Sequence, residues 1–104
     1  MSDAVQTCAR EPITTRRATQ IEGTIVMIGG IESPVFRHTV PVFVESDGEP
    51  AITYRCCIMG SERARDLAAH LFRHVCLEGF AEWLCDARGE WKINLLVIES
   101  VRPL

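Results

Sequence analysis

Histidine and cysteine are the residues here whose types most directly suggest chemistry. His70 and His74 are four apart, a spacing that places two side chains on one side of a helix, and Cys76 follows closely. Imidazole and thiolate are common zinc ligands. The pattern has no C-x-x-C knuckle, however, and the adjacent Cys56 and Cys57 would point to opposite faces of a strand. A zinc site at His70, His74 and Cys76 is therefore the weaker reading, and the expectation is no metal and no cofactor. No Gly-rich phosphate loop, HExxH or GxSxG occurs, and no carboxylate pair is spaced into one site. The chain reads as a binding domain and not an enzyme.

Aromatic and cationic residues make a second set. Phe43 and Arg55 fall on the outward face of one hairpin. Arg37 and His38 follow Phe36 in the loop before it, and Arg88, Trp91 and Lys92 surround the turn of a second hairpin. Rings and guanidinium planes stack on bases, and cations meet phosphates. In this reading Phe43 and Trp91 stack, while Arg37, Arg55, Arg88 and Lys92 contact phosphate, with His38 beside them. Trp83 and Trp91 are read more readily as ordinary core or hairpin-packing residues. An exposed Phe43 also fits a protein interface.

Strands must position this set. Gln20 to Ile28 is rich in β-branched residues and broken by Gly23, with Gly29 and Gly30 at its end. A strand glycine often marks a sharp bend, which a small barrel needs in its first strand. His38 to Glu45 and Ala51 to Met59 make the first hairpin. A two-residue Asp47–Gly48 turn would leave both faces mixed. A three-residue turn, Asp47 to Glu49, gathers Val40, Val42 and Val44 with Ile52, Tyr54, Cys56 and Ile58, and burial selects that alternation. The other face then carries Pro41, Phe43, Glu45, Thr53, Arg55 and Cys57.

After Gly60 the spacing of Ala64, Leu67, Ala68, Leu71, Phe72 and Val75 predicts an amphipathic helix from Ser61, its N-cap, to Val75. Glu62 in its first turn and Arg73 and His74 in its last suit the helix dipole. Val75 to Cys85 and Trp91 to Val101 form the second hairpin, around Asp86 to Glu90.

A length of 104 residues suits one domain, and 47% apolar composition suits an ordinary core. Residues 1–18 lack periodicity and read as a mobile arm holding Arg16 and Arg17, with the folded domain at 19–104. A net charge of -3 argues against strong non-specific phosphate binding. Five cysteines, no visible signal peptide and no apolar run of membrane-spanning length point to a reduced, cytoplasmic protein with no membrane partner.

The glycine-broken strand QIEGTIVMIGG, the hairpin HTVPVFVESDGEPAITYRCCIM, the helix SERARDLAAHLFRHV and the closing hairpin VCLEGFAEWLCDARGEWKINLLVIESV together resemble the OB-fold. They are similar to its anticodon-binding-like and single-strand-binding branches, over residues 19–102. The resemblance implies a mainly β fold: a five-stranded Greek-key barrel with one helix between strands 3 and 4. It also implies weak single-stranded DNA or RNA binding across the second and third strands and their flanking loops. The alternative it leaves open is a protein-interaction or self-association module, with a protein partner or a homodimer.

Overall fold

Three long strands and two short ones wrap the core. The structure, a computed structural model, describes residues 13–29 and 39–104. These form β1 (Ile13–Ile28), β2 (Thr39–Glu45), β3 (Thr53–Met59), a helix α1 (Ser61–Ala68), β4 (His74–Cys85) and β5 (Trp91–Pro103). The strands close into a barrel in the order β1-β2-β3-β5-β4. Neighbours are antiparallel except β3 and β5, which run parallel through Cys56–Leu96, Cys57–Val97 and Ile58–Ile98. This is the five-stranded barrel with one helix between strands 3 and 4 that the element order implies.

Alternation decides what is buried. Ile21 and Ile25 of β1, Val42 and Val44 of β2, Cys56 and Ile58 of β3, Val75, Leu77 and Ala81 of β4, and Leu96 and Ile98 of β5 point inward. Ala64 and Leu67 of α1 complete the cluster and close one end of it. Gly23 sits where β1 leaves β4 for β2: Gly23 pairs with Val75, and the next residue, Thr24, pairs with both His74 and Glu45. A Cβ at position 23 would run into the Glu45 carbonyl oxygen. The expected bend therefore has a close backbone approach at its centre.

Four local expectations are corrected. First, β1 begins at Ile13, inside the segment read as an arm, and Ile13 to Ala18 pair with Phe80 to Cys85 of β4. Both faces of that stretch are largely exposed, so its sequence carries no apolar alternation for pattern reading to find. Residues 1–12 lie outside the described residues.

Second, the β2–β3 faces are as expected except at Ile52, which the longer loop leaves outside β3 and exposed. The pairs are Val44–Tyr54, Val42–Cys56 and Val40–Ile58, a shift of two residues from a three-residue turn. A shift of two preserves the faces. Ser46 closes the loop twice: its N–H donates to the Ile52 carbonyl (2.8 Å) and its Oγ accepts from the Ile52 N–H (2.9 Å).

Third, α1 stops at Ala68 rather than Val75. Phe72 adopts a left-handed φ of 63°. Its N–H donates to the Ile25 carbonyl (2.7 Å), and the Ile25 N–H donates to the Arg73 carbonyl (3.3 Å). Pairing with β1 thus captures the chain before a helix could continue. Arg73 and His74 fall outside the helix, whose last turn holds Arg65 instead. Fourth, Gly60, at φ 94°, is the N-cap, and Ser61 is already helical. The change of direction from β3 into α1 uses a left-handed residue, which glycine adopts without a Cβ penalty.

Candidate nucleic-acid interface

Phe43 and Arg55 are direct cross-strand partners on the outward face of β2 and β3. Phe43 is half-buried and Arg55 exposed. Thr53 lies two residues before Arg55 on the same strand face, and it leads to a cleft at the end of the barrel.

That cleft, about 410 Å³, is lined by Ile52 from the β2–β3 loop, by Thr53 and Tyr54 from β3 and by Trp83, Trp91, Lys92 and Ile93 from β4 and β5. It exists because β4 and β5 run beyond the short β2–β3 hairpin, with β1 paired along β4. A bulge between Glu82 and Trp83 re-aims the β5 side of this ribbon: Glu82 pairs with Leu95 and Trp83 with Ile93. The skipped Asn94 donates its side-chain N–H to Glu82 Oε1 (2.8 Å).

The two tryptophans have different settings. Trp83 packs against the core, its indole N–H donates to Thr19 Oγ1 (2.9 Å), and the Arg17 guanidinium lies over its ring, 5.1 Å from the centroid. Trp91 is 42% exposed and stands outside the core cluster. The turn between β4 and β5 is held by Asp86, whose Oδ1 accepts from the Arg88 N–H (2.8 Å) and the Glu90 N–H (3.0 Å). The Glu90 N–H is the main cause of a carboxyl held below its ordinary range; the Arg88 and Gly89 N–H groups and the Lys92 charge add to it, against some desolvation. Arg88 is thereby fixed at the tip of the hairpin, with its side chain exposed.

Of the residues singled out from sequence, Trp91 and Lys92 share the cleft, Phe43 and Arg55 form the adjoining face, and Arg88 stands at the hairpin tip. Arg37 and His38 lie outside the described residues. Arg17, Tyr54 and Trp83 were not placed at a site by sequence reasoning. Alternation along β4 could have found Trp83, since it shares parity with the inward Val75, Leu77 and Ala81. Nothing short of the β1–β4 pairing reveals Arg17.

The zinc option loses its geometry. With the helix ended, His74 begins β4 and its Nε2 contacts Asp47 Oδ2 at 2.5 Å. Cys76 accepts a hydrogen bond from Arg102 Nη2 (3.5 Å). Among the described residues no three Cys, His, Asp or Glu side chains gather around one point. No helix in them is long and apolar enough to cross a membrane.

No known family model matches this chain, and no curated protein matches it. Solved structures do. Two crystal forms of the mitochondrial single-stranded DNA-binding protein Rim1 of S. cerevisiae align with TM-scores of 0.62 and 0.60. Each is 14% identical, and the alignments span 86% of this chain and 97% and 96% of theirs. The SSB domain of a Synechococcus protein aligns with a TM-score of 0.54 and 16% identity, over 82% of this chain and 92% of that domain. The fold is the OB-fold. At these identities the likeness concerns the barrel and its strand order. The ribbon of β1, β4 and β5 is thus an extended hairpin on an OB-fold, and the cleft lies where that ribbon meets the β2–β3 hairpin.

Proposed function

We propose that this OB-fold domain binds single-stranded nucleic acid, DNA in the first instance, and has no catalytic chemistry of its own. The observation that carries the reading is two surfaces that meet at Thr53: the Phe43–Arg55 pair on the outer face of β2 and β3, and the cleft at the barrel end lined by Tyr54, Trp91 and Lys92. Each sets an aromatic ring near a cation, as a strand with exposed bases and a charged backbone requires. The solved structures similar to it carry single-stranded DNA binding in their names, which supports DNA as the first ligand to test. Phe43 and Trp91 are the stacking residues of this reading, and Arg55, Arg88 and Lys92 its phosphate contacts; Arg37 and His38 extend it into the loop before β2. The described cysteines are free thiols, in keeping with a reducing compartment such as the cytoplasm.

The net charge of -3 predicts weak binding that salt abolishes. Fluorescence anisotropy with a labelled oligothymidylate tests this. Affinity should fall with salt concentration on a log–log plot, with about 0.7 of slope per phosphate neutralised on a single strand. Arg55→Ala should remove about that much slope, and Phe43→Ala should weaken binding with the slope unchanged. A wild-type chain that binds no oligonucleotide at low salt rules the reading out.

A second reading has one observation in its favour. On the outer face of β4 and β5, Phe80 is 52% exposed beside Leu95 and Val97, with Arg16 and Glu82 at their border. Such a patch suits self-association or a protein partner. Sedimentation of wild type and Phe80→Asp separates this from a monomer.

A further inference from the structure

We infer that Met27 is a redox-sensitive part of the nucleic-acid face, and that its oxidation to the sulfoxide by a peroxide weakens binding reversibly. The inference rests on the single-strand reading above and adds to it a modification site on a third strand. A bulge in β1 supplies that site. Ile25 pairs with Val44 and Ile28 with Val42, and between them two residues, Val26 and Met27, stand against the single residue Phe43. Ile25 lies in the core and Ile28 packs against it. In regular pairing Val26 would oppose Phe43, and Met27 would oppose Val42 and face inward. With the bulge, Met27 pairs with Phe43, itself the partner of Arg55, and is 47% exposed. The row Met27–Phe43–Arg55 thus crosses β1, β2 and β3 on their outer face. Directly opposed side chains lie about 4.5–5.5 Å apart at Cβ, so thioether and ring are neighbours on one surface.

A thioether is a soft, adaptable surface that suits a ligand of variable sequence. Oxidation makes it polar and chiral. The peroxide alone balances the step: the sulfur lone pair attacks one peroxide oxygen, the O–O bond breaks, and the departing oxygen leaves as water. Sulfur loses two electrons and the peroxide gains them. A methionine sulfoxide reductase with a dithiol runs the change back, releasing water and a disulfide. Two neighbours define the selectivity. Burial pushes the Cys57 thiol up, away from the thiolate form that peroxide attacks. Met59 is 52% exposed, but it pairs with Thr39, four residues along β3 from Arg55. Its oxidation leaves the Phe43 row untouched.

The test treats the full chain with hydrogen peroxide and then with dithiothreitol, which reverses thiol oxidation and leaves the sulfoxide; peptide mass mapping locates the added oxygen. Affinity for a labelled oligothymidylate, read by anisotropy, should fall about 2- to 12-fold when Met27 is oxidised, the scale of one sulfur–aromatic contact. Methionine sulfoxide reductases should restore it. Met27→Leu, which keeps the volume and lacks the sulfur, should bind like wild type before and after peroxide. Met59→Leu should stay as sensitive as wild type. The melting temperature should not move on oxidation, because Met27 stands outside the core. Equal peroxide sensitivity in Met27→Leu overturns the inference, as does full affinity in protein mapped as oxidised at Met27. A melting temperature that falls together with affinity makes the loss structural and overturns it too. In each of these cases the untreated protein still binds, so the single-strand reading stands. A wild-type chain that binds no oligonucleotide before treatment removes that reading and the switch with it.

Discussion

At the scale of single residues, Cys56 and Cys57 show what one step along a strand does to a thiol. Cys56 points into the barrel and is 3% exposed; Cys57 points outward and is half-buried. Burial, with a smaller contribution from the neighbouring Cys57, pushes the Cys56 thiol up to about 12, while burial alone raises Cys57. The folded state therefore holds the Cys56 proton more tightly than the unfolded chain, where the ordinary value is 9.0. Below pH 9 both states are protonated and stability does not depend on this group. Between pH 9 and about 12 unfolding releases the proton, and stability falls by about 1.4 kcal/mol per pH unit. Urea denaturation of wild type and Cys56→Ala between about pH 8 and pH 11 should show the steeper alkaline loss in wild type. Parallel curves would contradict the assignment. The buried and exposed faces of β3 were legible from alternation alone, so this difference between adjacent thiols was visible in the sequence once the faces were fixed.

At the scale of elements, the end of α1 is the instructive case. The stripe Ala64/Leu67/Ala68/Leu71/Phe72/Val75 has helical spacing, yet only its first turns are helix. Ala64 and Leu67 are buried from α1, and Val75 is buried from β4. A strand beginning one residue before Val75 satisfies the same burial that a longer helix would, so periodicity could not separate the two. What decides is long-range: the hydrogen bonds between Ile25 and the Phe72–Arg73 backbone. Phe72 carries the cost, with a left-handed backbone and a side chain that is 71% exposed. Phe72→Gly should therefore stabilise the fold by about 0.5–1 kcal/mol, since it relieves the φ and removes little packing. Chemical denaturation checks it, and a loss of stability would mean that the ring packs in solution. The β2–β3 loop teaches the complementary lesson. Its faces were legible because parity survives a two-residue shift, but its length was not, because the Ser46–Ile52 closure depends on a side chain reaching back over the loop.

For the molecule as a whole, barrel order was legible and the outer ribbon was not. An amphipathic helix between the third and fourth of five strand-like segments implies the barrel. The ribbon is wet on much of both faces, so its first strand carries no pattern and looked like an arm. Its contribution is measurable. Deleting residues 1–19 removes the β1 partners of Gly79 to Cys85 together with Arg17 and Thr19 over and beside Trp83. Loss of about 1–3 kcal/mol of stability is expected, with a red shift of tryptophan emission. Unchanged stability would mean that the ribbon adds nothing to the barrel.

The parallel seam between β3 and β5 has a consequence for how the molecule is made. Its partners, Cys56 to Ile58 and Leu96 to Ile98, are separated by α1, β4 and the β4–β5 turn. Loop closure over such a span is slow compared with hairpin formation. A nascent chain that has reached Cys85 already owns four of the five strands, but β3 has nothing on its far side. Until Leu96 to Ile98 dock, an unclosed barrel presents bare amides along β3 and an uncovered row of valines and isoleucines behind them. The exposure of that edge is thus ended by one folding step, the docking of β5 on β3.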